Sequence, residues 1–402
     1  MSVTPEQVAA AHEVIKPHVL RTPTVLAPRL GSPLDAKIWL KLESLQITGS
    51  FKLRGACLKL ERLAAADSGL RGIVAASAGN HAQGVGHHAQ RLGIPTTIVM
   101  PETTPFSKVE RTEAYGAKVM LQGASVAECN QHALTLAERE GLEFIHPYDD
   151  PVIIAGQGTA ALEMLADAPE IDTLIVPIGG GGLAAGTAVW AKHVDPNIRI
   201  YGVQTERCPS MHAALAGEPM PGPNTHTLAD GIAVKSPGKL PLQLLKDRLE
   251  EVLLVSESDI EEAVQALAGH QKVVAEGAGA AGYAAVLRHP ELFRGRAVGV
   301  IICGGNIDRR MLSTVLLRGL KRDGKIAKLR VLIHDVPGVL SRVTQLVGAA
   351  GADVIEIDHQ RLFSRLPPRE AELHVVMETK GEEHVRKVLE RLSMAGFTAE
   401  CM

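Results

Sequence analysis

The sequence has few aromatic residues, few cysteines and no excess of charge of either sign. Phe, Trp and Tyr make up 3% of the 402 residues, which leaves little for nucleic-acid bases to stack on. The formal net charge is -3 and the isoelectric point is about 6.6. Neither a nucleic acid nor a membrane surface is therefore an expected partner.

Cysteine usage predicts no disulfide framework and no zinc site, because the five cysteines are odd in number and include no C-x-x-C pair. A reduced, cytoplasmic location is expected. Residues 1–16 carry Glu6 and Glu13 and lack a long apolar run, so no signal peptide is predicted. Residues 173–191 are uncharged but contain Pro177 and five glycines, which favours a strand, a turn and a helix over a membrane span.

Apolar residues are plentiful, at 46% of the chain, and charged residues make up 22%, so folded domains are expected. Short apolar segments alternate with helical patterns over the first three quarters of the chain. This alternation predicts α/β structure with parallel sheets. The clearest strands are predicted at residues 73–76, 96–100, 173–178, 198–204 and 298–302. A long ordered loop is predicted at 219–241 because that segment is rich in Pro and Gly.

The C-terminal part has a different pattern. Alternating apolar residues at 329–333 are followed by one apolar helical face at 339–350, two more strands, a second helix and a last strand. The order βαββαβ is the ferredoxin-like arrangement. The predicted domains are residues 1–320, with a small subdomain at about 50–150, a linker at 321–327 and the C-terminal module at 328–402.

Lys52, in the segment Ser50–Ala56, is the candidate for the residue that does the chemistry. A lysine is a nucleophile or a base only as the free amine, so burial or nearby positive charge must lower its pKa. Arg54 lies two residues further along. The alternative is an exposed lysine near the start of a helix.

Gly179, Gly180, Gly181 and Gly182 follow a predicted strand and precede a predicted helix. Glycines at that place let backbone N–H groups approach an anion, and the helix N-terminus favours negative charge. The segment predicts a phosphate site, although it matches neither the P-loop nor the dinucleotide G-x-G-x-x-G spacing. The alternative is a tight structural turn.

Two other strand ends carry polar groups. The segment from Ser77 to His81 offers backbone N–H groups to a carboxylate, with Asn80 as a donor to a phenolic oxygen; the alternative is a helix N-cap made by Ser77 or Asn80. Cys303 is either an inert core thiol or a weak hydrogen-bonding group for a ring nitrogen. Asp149 and its neighbour are interpreted as solvated turn charges.

A lysine, a phosphate site, a carboxylate turn and a neutral group for a ring nitrogen are together the parts of a pyridoxal phosphate site. The sequence resembles the fold type II pyridoxal-phosphate enzymes, and within them the threonine dehydratases. The motifs that carry the resemblance span nearly all of residues 1–320 and are Ser50–Ala56, Ser77–Gly84, Gly179–Leu183, Ala275–Ala280 and Cys303–Asn306.

The resemblance implies a role for each motif residue. Lys52 would hold the cofactor covalently and then take the Cα proton of the substrate. The other implied cofactor contacts are Phe51, Asn80, Gly179, Gly180, Gly181, Gly182, Leu183, Glu276, Cys303 and Gly304. The implied substrate contacts are Ser77, Ala78, Gly79, Asn80 and His81. The implied reaction converts L-threonine into 2-oxobutanoate and ammonia, and L-serine into pyruvate.

Serine racemases resemble this chain too, but they carry a second serine where this chain has Ala78, so racemisation is not predicted. Their divalent-metal positions match Gln204, Cys208 and Ser210 here, so no metal site of that type is expected. Cysteine synthases typically have Asn-Thr-Gly where this chain has Asn80 followed by His and Ala. A non-catalytic amino-acid-binding regulator is the remaining alternative, but it does not explain why Lys52 and the glycines are present.

The C-terminal module resembles an ACT domain. Its ligand-binding turn would match the segment that contains Asp335, Pro337, Gly338, Val339 and Leu340. The resemblance implies allosteric control by an amino acid such as isoleucine, with valine opposing it, as in isoleucine biosynthesis. The single module is shorter than the doubled regulatory region of many biosynthetic dehydratases, and a role in dimerisation only is the alternative. A homotetramer or homodimer is expected.

Overall fold

The computed structural model describes residues 2–66, 69–220, 222, 226–361, 366–367 and 369–402. Contacts divide the chain into two compact units, residues 1–307 and 308–402. None of the described helices combines the length and the apolar composition that a membrane crossing needs. Strands and α-helices are numbered in chain order, and each unit is described by itself.

The strands of the first unit form two separate sheets. In chain order they are β1 (Thr24–Leu26), β2 (Lys37–Leu42), β3 (Ile73–Ala76), β4 (Thr96–Met100), β5 (Lys118–Leu121), β6 (Glu143–Phe144), β7 (Thr173–Pro177), β8 (Arg199–Thr205), β9 (Glu251–Val255) and β10 (Ala297–Ile302).

The larger sheet has the order β1-β2-β10-β7-β8-β9, and only the edge strand β1 runs antiparallel to its neighbour. The smaller sheet is wholly parallel, with the order β5-β4-β3-β6. Strands β3 and β7 are buried along their whole length, as continuous apolar runs covered on both faces should be. The predicted parallel α/β architecture is therefore present, with the smaller sheet inserted between β2 and β7.

The helices of the first unit connect these strands. They are α1 (Pro5–Ile15), α2 (Pro28–Gly31), α3 (Lys52–Ala66), α4 (Asn80–Leu92), α5 (Phe106–Glu113), α6 (Val126–Glu140), α7 (Pro151–Asp167), α8 (Gly182–Val194), α9 (Ser210–Ala216), α10 (Lys239–Leu245), α11 (Glu257–Ala266), α12 (Gly277–Arg288) and α13 (Pro290–Phe293). Short 3-10 turns lie at Ser32–Leu34, Glu43–Leu45 and Asp230–Ile232, and a π-helical turn lies at Leu267–Gln271.

Local signals set several of these helix starts. Asp150 caps α7, because its carboxylate accepts the backbone N–H groups of Val152 at 2.7 Å and Ile153 at 3.2 Å. Pro151 occupies the first helical position, where its missing N–H costs nothing. The helix α10 begins inside the segment predicted as a loop at 219–241, so that prediction is wrong for its last residues.

The second unit contains α14 (Arg309–Arg322), β11 (Ile326–His334), α15 (Val339–Ala349), β12 (Asp353–Gln360), β13 (Glu370–Glu378), α16 (Glu382–Met394) and β14 (Thr398–Cys401). From β11 onwards the order is βαββαβ, and the antiparallel sheet has the order β12-β13-β11-β14. Buried and part-exposed residues alternate along β11, so one sheet face packs against α15 and α16. The ferredoxin-like arrangement predicted for this module is present.

The basic segment before this module differs from the predicted linker at 321–327. Arg322 is the last residue of α14, and β11 begins at Ile326, so three residues separate the two elements. Lys321 and Arg322 lie in the last turn of the helix, where positive charge is favoured by the helix dipole. A cluster of basic residues is therefore compatible with a helix end as well as with a linker, and the domain boundaries remain a prediction.

Candidate active site

Lys52 is the first residue of α3, and neighbouring contacts fix its position beside the end of β10. The Phe51 N–H donates to the carbonyl of Cys303 at 3.1 Å, and Ser50 pairs with Gly304 as an isolated β-bridge. The Lys52 Nζ donates to the carbonyl of Pro147 at 2.8 Å and lies 5.2 Å from the centre of the Phe51 ring. The exposed-lysine alternative is wrong, because Lys52 is half-buried and its amine is hydrogen-bonded to the Pro147 carbonyl.

Burial lowers the pKa of Lys52 to about 8, while the nearby Cys303 acts in the opposite direction. Arg54 does not supply the positive charge that the sequence suggested. Its guanidinium binds the carboxylate of Glu43 at 2.8 Å and that of Glu163 at 2.8 Å, deep in the core. Removal from water is therefore what makes the Lys52 amine accessible as a base near neutral pH.

The glycine segment forms the turn between β7 and α8. Gly181 has φ +97°, a left-handed conformation that favours glycine, and α8 begins at Gly182. A Cβ on Gly180 would lie 2.3 Å from the Tyr148 ring, and one on Gly182 would lie 2.5 Å from the Gln157 Oε1. The N–H groups of the first turn of α8 have no partner within the helix, so an anion fits here. Gly179 precedes this turn and Leu183 follows it, buried, in α8.

Tyr148 links the glycine turn to the lysine. Its ring centre lies 5.9 Å from the Lys52 Nζ, and the same ring borders Gly180. The His146 Nδ1 accepts the N–H groups of Tyr148 at 3.2 Å and Asp149 at 2.8 Å, which orders this segment. The sequence did not reveal it, because it follows β6, a strand of only two residues.

A hydrogen-bonded group is formed by Asn80, Glu276 and Asn306. The Asn80 Nδ2 donates to the Glu276 Oε1 at 2.8 Å, and the Asn306 Nδ2 donates to the Asn80 Oδ1 at 2.7 Å. Burial raises the pKa of Glu276 to about 7, and the Asp230 carboxylate adds to the rise. A Cβ on Gly304 would lie 2.4 Å from the Glu276 Oε1, so this position has room only for glycine.

The turn from Ser77 to Asn80 leads into α4. The Ser77 Oγ accepts the N–H of Gly79 at 3.2 Å, and Gly79 is the N-cap residue without a side-chain cap bond. The helix-cap alternative is therefore wrong: the Asn80 side chain binds Glu276 and Asn306, as described above. Ala78 is half-buried and carries no polar side chain.

The side chain of His81 is directed away from this turn. Its Nε2 lies 3.0 Å from the Ile145 carbonyl, and burial lowers the pKa of His81 to about 3. The imidazole is therefore neutral and already paired. Only the backbone N–H of His81, in the first turn of α4, is placed to bind a ligand, which narrows the role that the sequence suggested.

Cys303 lies at the carboxyl end of β10 and is buried. Burial and the neighbouring Glu276 carboxylate raise the pKa of the Cys303 thiol well above its usual range. The sulfur is therefore neutral at physiological pH. An inert core thiol and a neutral partner for a ring nitrogen both agree with this environment, so the role of Cys303 stays a prediction.

The residues present fit pyridoxal phosphate. The Gln157 Oε1 and the Ser50 Oγ are buried and have no hydrogen-bond partner among the described residues. Gln157 lies against the glycine turn, and Ser50, two residues before Lys52, pairs with Gly304. A lysine amine, an anion-binding helix terminus and a neutral thiol are groups that can together hold this cofactor.

A cavity of about 370 Å³ lies in the C-terminal unit. It is lined by Asp335, Val336, Pro337, Gly338, Val339, Leu340, His359 and Arg361. All the residues of the predicted ligand turn line this cavity. The sequence missed His359 and Arg361, whose position follows from the pairing of β12 with β13 and not from any local motif. The Arg361 Nη2 donates to the Asp335 Oδ1 at 3.0 Å.

The three positions that match the metal site of serine racemases make other contacts. The Gln204 Oε1 accepts the N–H groups of Met211 at 2.9 Å and His212 at 3.0 Å. Cys208 and Ser210 both donate to the carbonyl of Val234. In the part of the chain that the structure describes, no group of three or more His, Cys, Asp or Glu side chains is arranged to hold a metal ion.

Comparisons with known proteins identify the family. Residues 15–304 match the family model described as pyridoxal-phosphate dependent enzyme, and residues 327–393 match that of the ACT domain. The chain belongs to the pyridoxal-phosphate dependent enzymes. Its cofactor is therefore pyridoxal phosphate, and the fold class predicted from the sequence is confirmed.

One similar relative of this family member is an L-threonine ammonia-lyase from Thermotoga maritima, which is 41% identical over 98% of both chains. The structure of a threonine deaminase from T.th. has a TM-score of 0.71 at 38% identity, over 76% of this chain and 99% of that chain. The structure of maize serine racemase has a TM-score of 0.74 at 33% identity, over 80% of this chain and 99% of that chain.

Proposed function

We propose that this pyridoxal-phosphate dependent enzyme is an L-threonine ammonia-lyase, which converts L-threonine into 2-oxobutanoate and ammonia. The observation that carries the proposal is the Lys52 amine, which burial brings to a pKa of about 8 beside the glycine turn. The names of the relatives supply the substrate. L-Serine would react in the same way and give pyruvate.

Each part of the site has one task in this reaction. Bound pyridoxal phosphate supplies an electron sink that makes the Cα proton of an amino acid acidic. The Lys52 Nζ takes that proton, the C–O bond at Cβ breaks, and the departing hydroxyl takes up one proton and leaves as water, so no net proton is gained or lost. The released enamine tautomerises to an imine, which one water hydrolyses to 2-oxobutanoate and ammonia.

The remaining residues bind and orient. We assign the phosphate to the N–H groups of Gly179–Leu183 at the start of α8. The substrate carboxylate is assigned to the backbone of Ser77–His81. Asn80 donates to the ring oxygen, and the neutral Cys303 thiol faces the ring nitrogen. A thiol there leaves the ring less electron-withdrawing than a carboxylate would, which favours prompt loss of the β-hydroxyl.

Elimination is favoured over racemisation by Ala78. Racemisation needs a second acid–base group on the face of Cα opposite Lys52, and the methyl side chain of Ala78 has no proton to give. Maize serine racemase is nevertheless similar in fold. The fold alone therefore does not distinguish the two reactions, whereas the residue at position 78 and the products do.

The test compares wild type with Lys52→Ala in the presence of pyridoxal phosphate. Wild type is expected to show a visible absorbance band and to form 2-oxobutanoate from L-threonine, and the variant neither. D-allo-Threonine from L-threonine, or D-serine from L-serine, as the main product would instead favour a racemase. A wild type that takes up no cofactor would overturn the proposal and leave the amino-acid-binding regulator.

The C-terminal cavity supports a regulatory proposal. We assign to it an amino-acid effector, with isoleucine as inhibitor and valine in opposition, in a cytoplasmic homodimer or homotetramer. A cavity of about 370 Å³ is large enough for such a ligand, and the ion pair of Arg361 with Asp335 places both signs of charge beside it, as the carboxylate and ammonium on one Cα need. Isoleucine should shift the threonine saturation curve of wild type more than that of Asp335→Ala. If saturating isoleucine and valine change neither activity nor melting temperature, the cavity has another role.

A further inference from the structure

Asn306 lies at the end of the Cys303–Asn306 segment, and both N–H bonds of its side-chain amide are used. Its Nδ2 donates to the Thr48 carbonyl at 2.8 Å and to the Asn80 Oδ1 at 2.7 Å. A backbone carbonyl can only accept a hydrogen bond. The contact with Thr48 therefore fixes which end of the Asn306 amide is the nitrogen, and the orientation of this amide is determined.

That orientation determines the orientation of the next amide. Because Asn306 presents an N–H to Asn80, the Asn80 oxygen must face Asn306 and its nitrogen must face away. The Asn80 Nδ2 donates one hydrogen to the Glu276 Oε1 at 2.8 Å. The backbone of Asn306 lowers the pKa of Glu276, so it also lies beside that carboxylate. The Asn80 amide is thus held between Asn306 and Glu276.

Two glycines make room for this network. A Cβ on Gly304 would lie 2.4 Å from the Glu276 Oε1 and 3.2 Å from the Asn80 Nδ2. Gly49 adjoins the Asn306 side chain: it has φ +74°, and a Cβ added there would lie 2.5 Å from the Asn306 Oδ1. Close packing on both sides leaves the two amides little freedom to turn. The second hydrogen on the Asn80 Nδ2 remains for a ligand oxygen.

We propose that Asn306 is a positioning residue, which holds the Asn80 amide with its N–H group toward the ring oxygen of pyridoxal phosphate. The inference rests on the proposed function for the identity of the group that Asn80 faces. Asn306 does not touch the cofactor in this scheme. Without Asn306, only the bond to Glu276 still opposes a turn of the Asn80 amide through 180°. That turn would present the amide oxygen to the ring oxygen, where two acceptors repel each other.

The test is a double-mutant cycle on cofactor binding to the apoenzyme. The dissociation constant for pyridoxal phosphate is measured for wild type, Asn80→Ala, Asn306→Ala and the double variant, together with the visible absorbance band that reports the state of the ring oxygen. Each single variant is expected to weaken binding about tenfold and to diminish the visible band. The double variant should bind like Asn80→Ala, because Asn306 has no effect once the Asn80 amide is absent.

Losses that multiply to about a hundredfold in the double variant would overturn the inference, since Asn306 would then act independently of Asn80. Ser44→Ala is the matched control, because the Ser44 side chain adjoins Gly305 and its buried Oγ has no partner among the described residues. It should leave both readouts unchanged, and an equal loss in this control would also contradict the inference.

Asn306→Asp is a second variant of nearly identical size, for use if Asn306→Ala does not fold. It keeps the volume but offers only acceptors, so the Asn80 amide must turn its nitrogen toward residue 306. The visible band should fall at least as far as in Asn306→Ala, and an unchanged band would contradict the inference. If wild type itself binds no pyridoxal phosphate, the proposed function fails as well, whereas wild-type binding with additive losses refutes only the role of Asn306.

Discussion

Replacement of Lys52 by methionine should stabilise the apoenzyme at neutral pH, although it removes the proposed catalytic amine. Burial lowers the pKa of Lys52 from 10.5 to about 8, which means that the folded protein holds the charged amine at a cost of about 3 kcal/mol. The Pro147 carbonyl loses its hydrogen bond from Lys52 in the variant, a loss of about 1 kcal/mol. The expected net gain is therefore about 2 kcal/mol.

The pH dependence identifies the cause. Between pH 8 and 10.5 the unfolded wild type binds a proton at Lys52 that the folded protein has released, so wild-type stability rises with pH across this window. Lys52→Met lacks this titration. The advantage of the variant should therefore be full below about pH 8 and should be lost as the pH approaches 10.5. Groups that Lys52 does not perturb titrate equally in both proteins and cancel in the difference. The Lys52 charge lowers the pKa values of Cys303, His81 and His146, so these three groups contribute to the difference as well.

Urea titration followed by tryptophan fluorescence suits this comparison, because Trp39 and Trp190 both lie in the first unit. Lys59→Met is the matched control on the same helix. Lys59 is paired with Asp150 at 2.9 Å, which raises its pKa, so its replacement should destabilise the protein at neutral pH. A Lys52→Met variant that is less stable than wild type at pH 7, or a difference that does not change up to pH 10.5, would refute the reasoning.

Three further predictions test other parts of the structure. Gly180→Ala should weaken pyridoxal phosphate binding at least tenfold in a fluorescence titration, because the new Cβ would lie 2.3 Å from the Tyr148 ring. Gly79→Ala should leave the urea midpoint unchanged, because its Cβ would meet nothing within 4 Å. Glu163→Gln should lower the free energy of unfolding, measured by urea titration, by about 3–5 kcal/mol, because the buried Lys41 and Arg54 would then share the single carboxylate of Glu43. A loss below about 1 kcal/mol would contradict this view of the ion cluster. After pyridoxal phosphate is added to the apoenzyme, the rate at which the visible band appears should rise with pH, with a midpoint near 8, the pKa of Lys52. A midpoint above about 10 would show that the amine is not buried before the cofactor binds.

The sequence was sufficient for the fold class because the informative signals were local. Strands such as β3, β7 and β10 are short apolar runs, each followed by a turn that contains glycine. Since parallel strands place such turns at their carboxyl ends, the motifs could be expected to lie near one another. The structure brings Lys52 and Cys303 together, and likewise Asn80 and Glu276.

The helix α7 escaped prediction because of its burial. Most residues of Pro151–Asp167 are buried, so the segment lacks the polar face whose recurrence at every third or fourth position marks an amphipathic helix. A helix that is apolar all round resembles a long core segment in the sequence. Helix α8 was easier to recognise because the glycine turn marks its start.

The helix α10 escaped prediction for a different reason. Pro241 and the surrounding Pro and Gly residues indicate a loop, yet proline is tolerated in a first helical turn. The Asp149 carboxylate accepts the N–H groups of Lys239 at 3.0 Å and Leu240 at 2.9 Å. The interpretation of Asp149 as a solvated turn charge is therefore wrong. Its partner lies 90 residues further along the chain, and no local pattern reveals such a contact.

Burial has opposite consequences for charge in two neighbouring parts of this unit. Around Arg54 the charged forms persist, because every charge lies about 2.8 Å from an opposite one in the core. In the cleft such partners are missing, and burial shifts Lys52, Glu276, Cys303 and His81 toward their neutral forms. The paired set stabilises the start of α3 without altering the lysine pKa. In the proposed site, whose own groups tend to neutrality, the cofactor phosphate would be the main charge, bound at the N-terminus of α8. Lys52 would then be free to exchange protons near neutral pH.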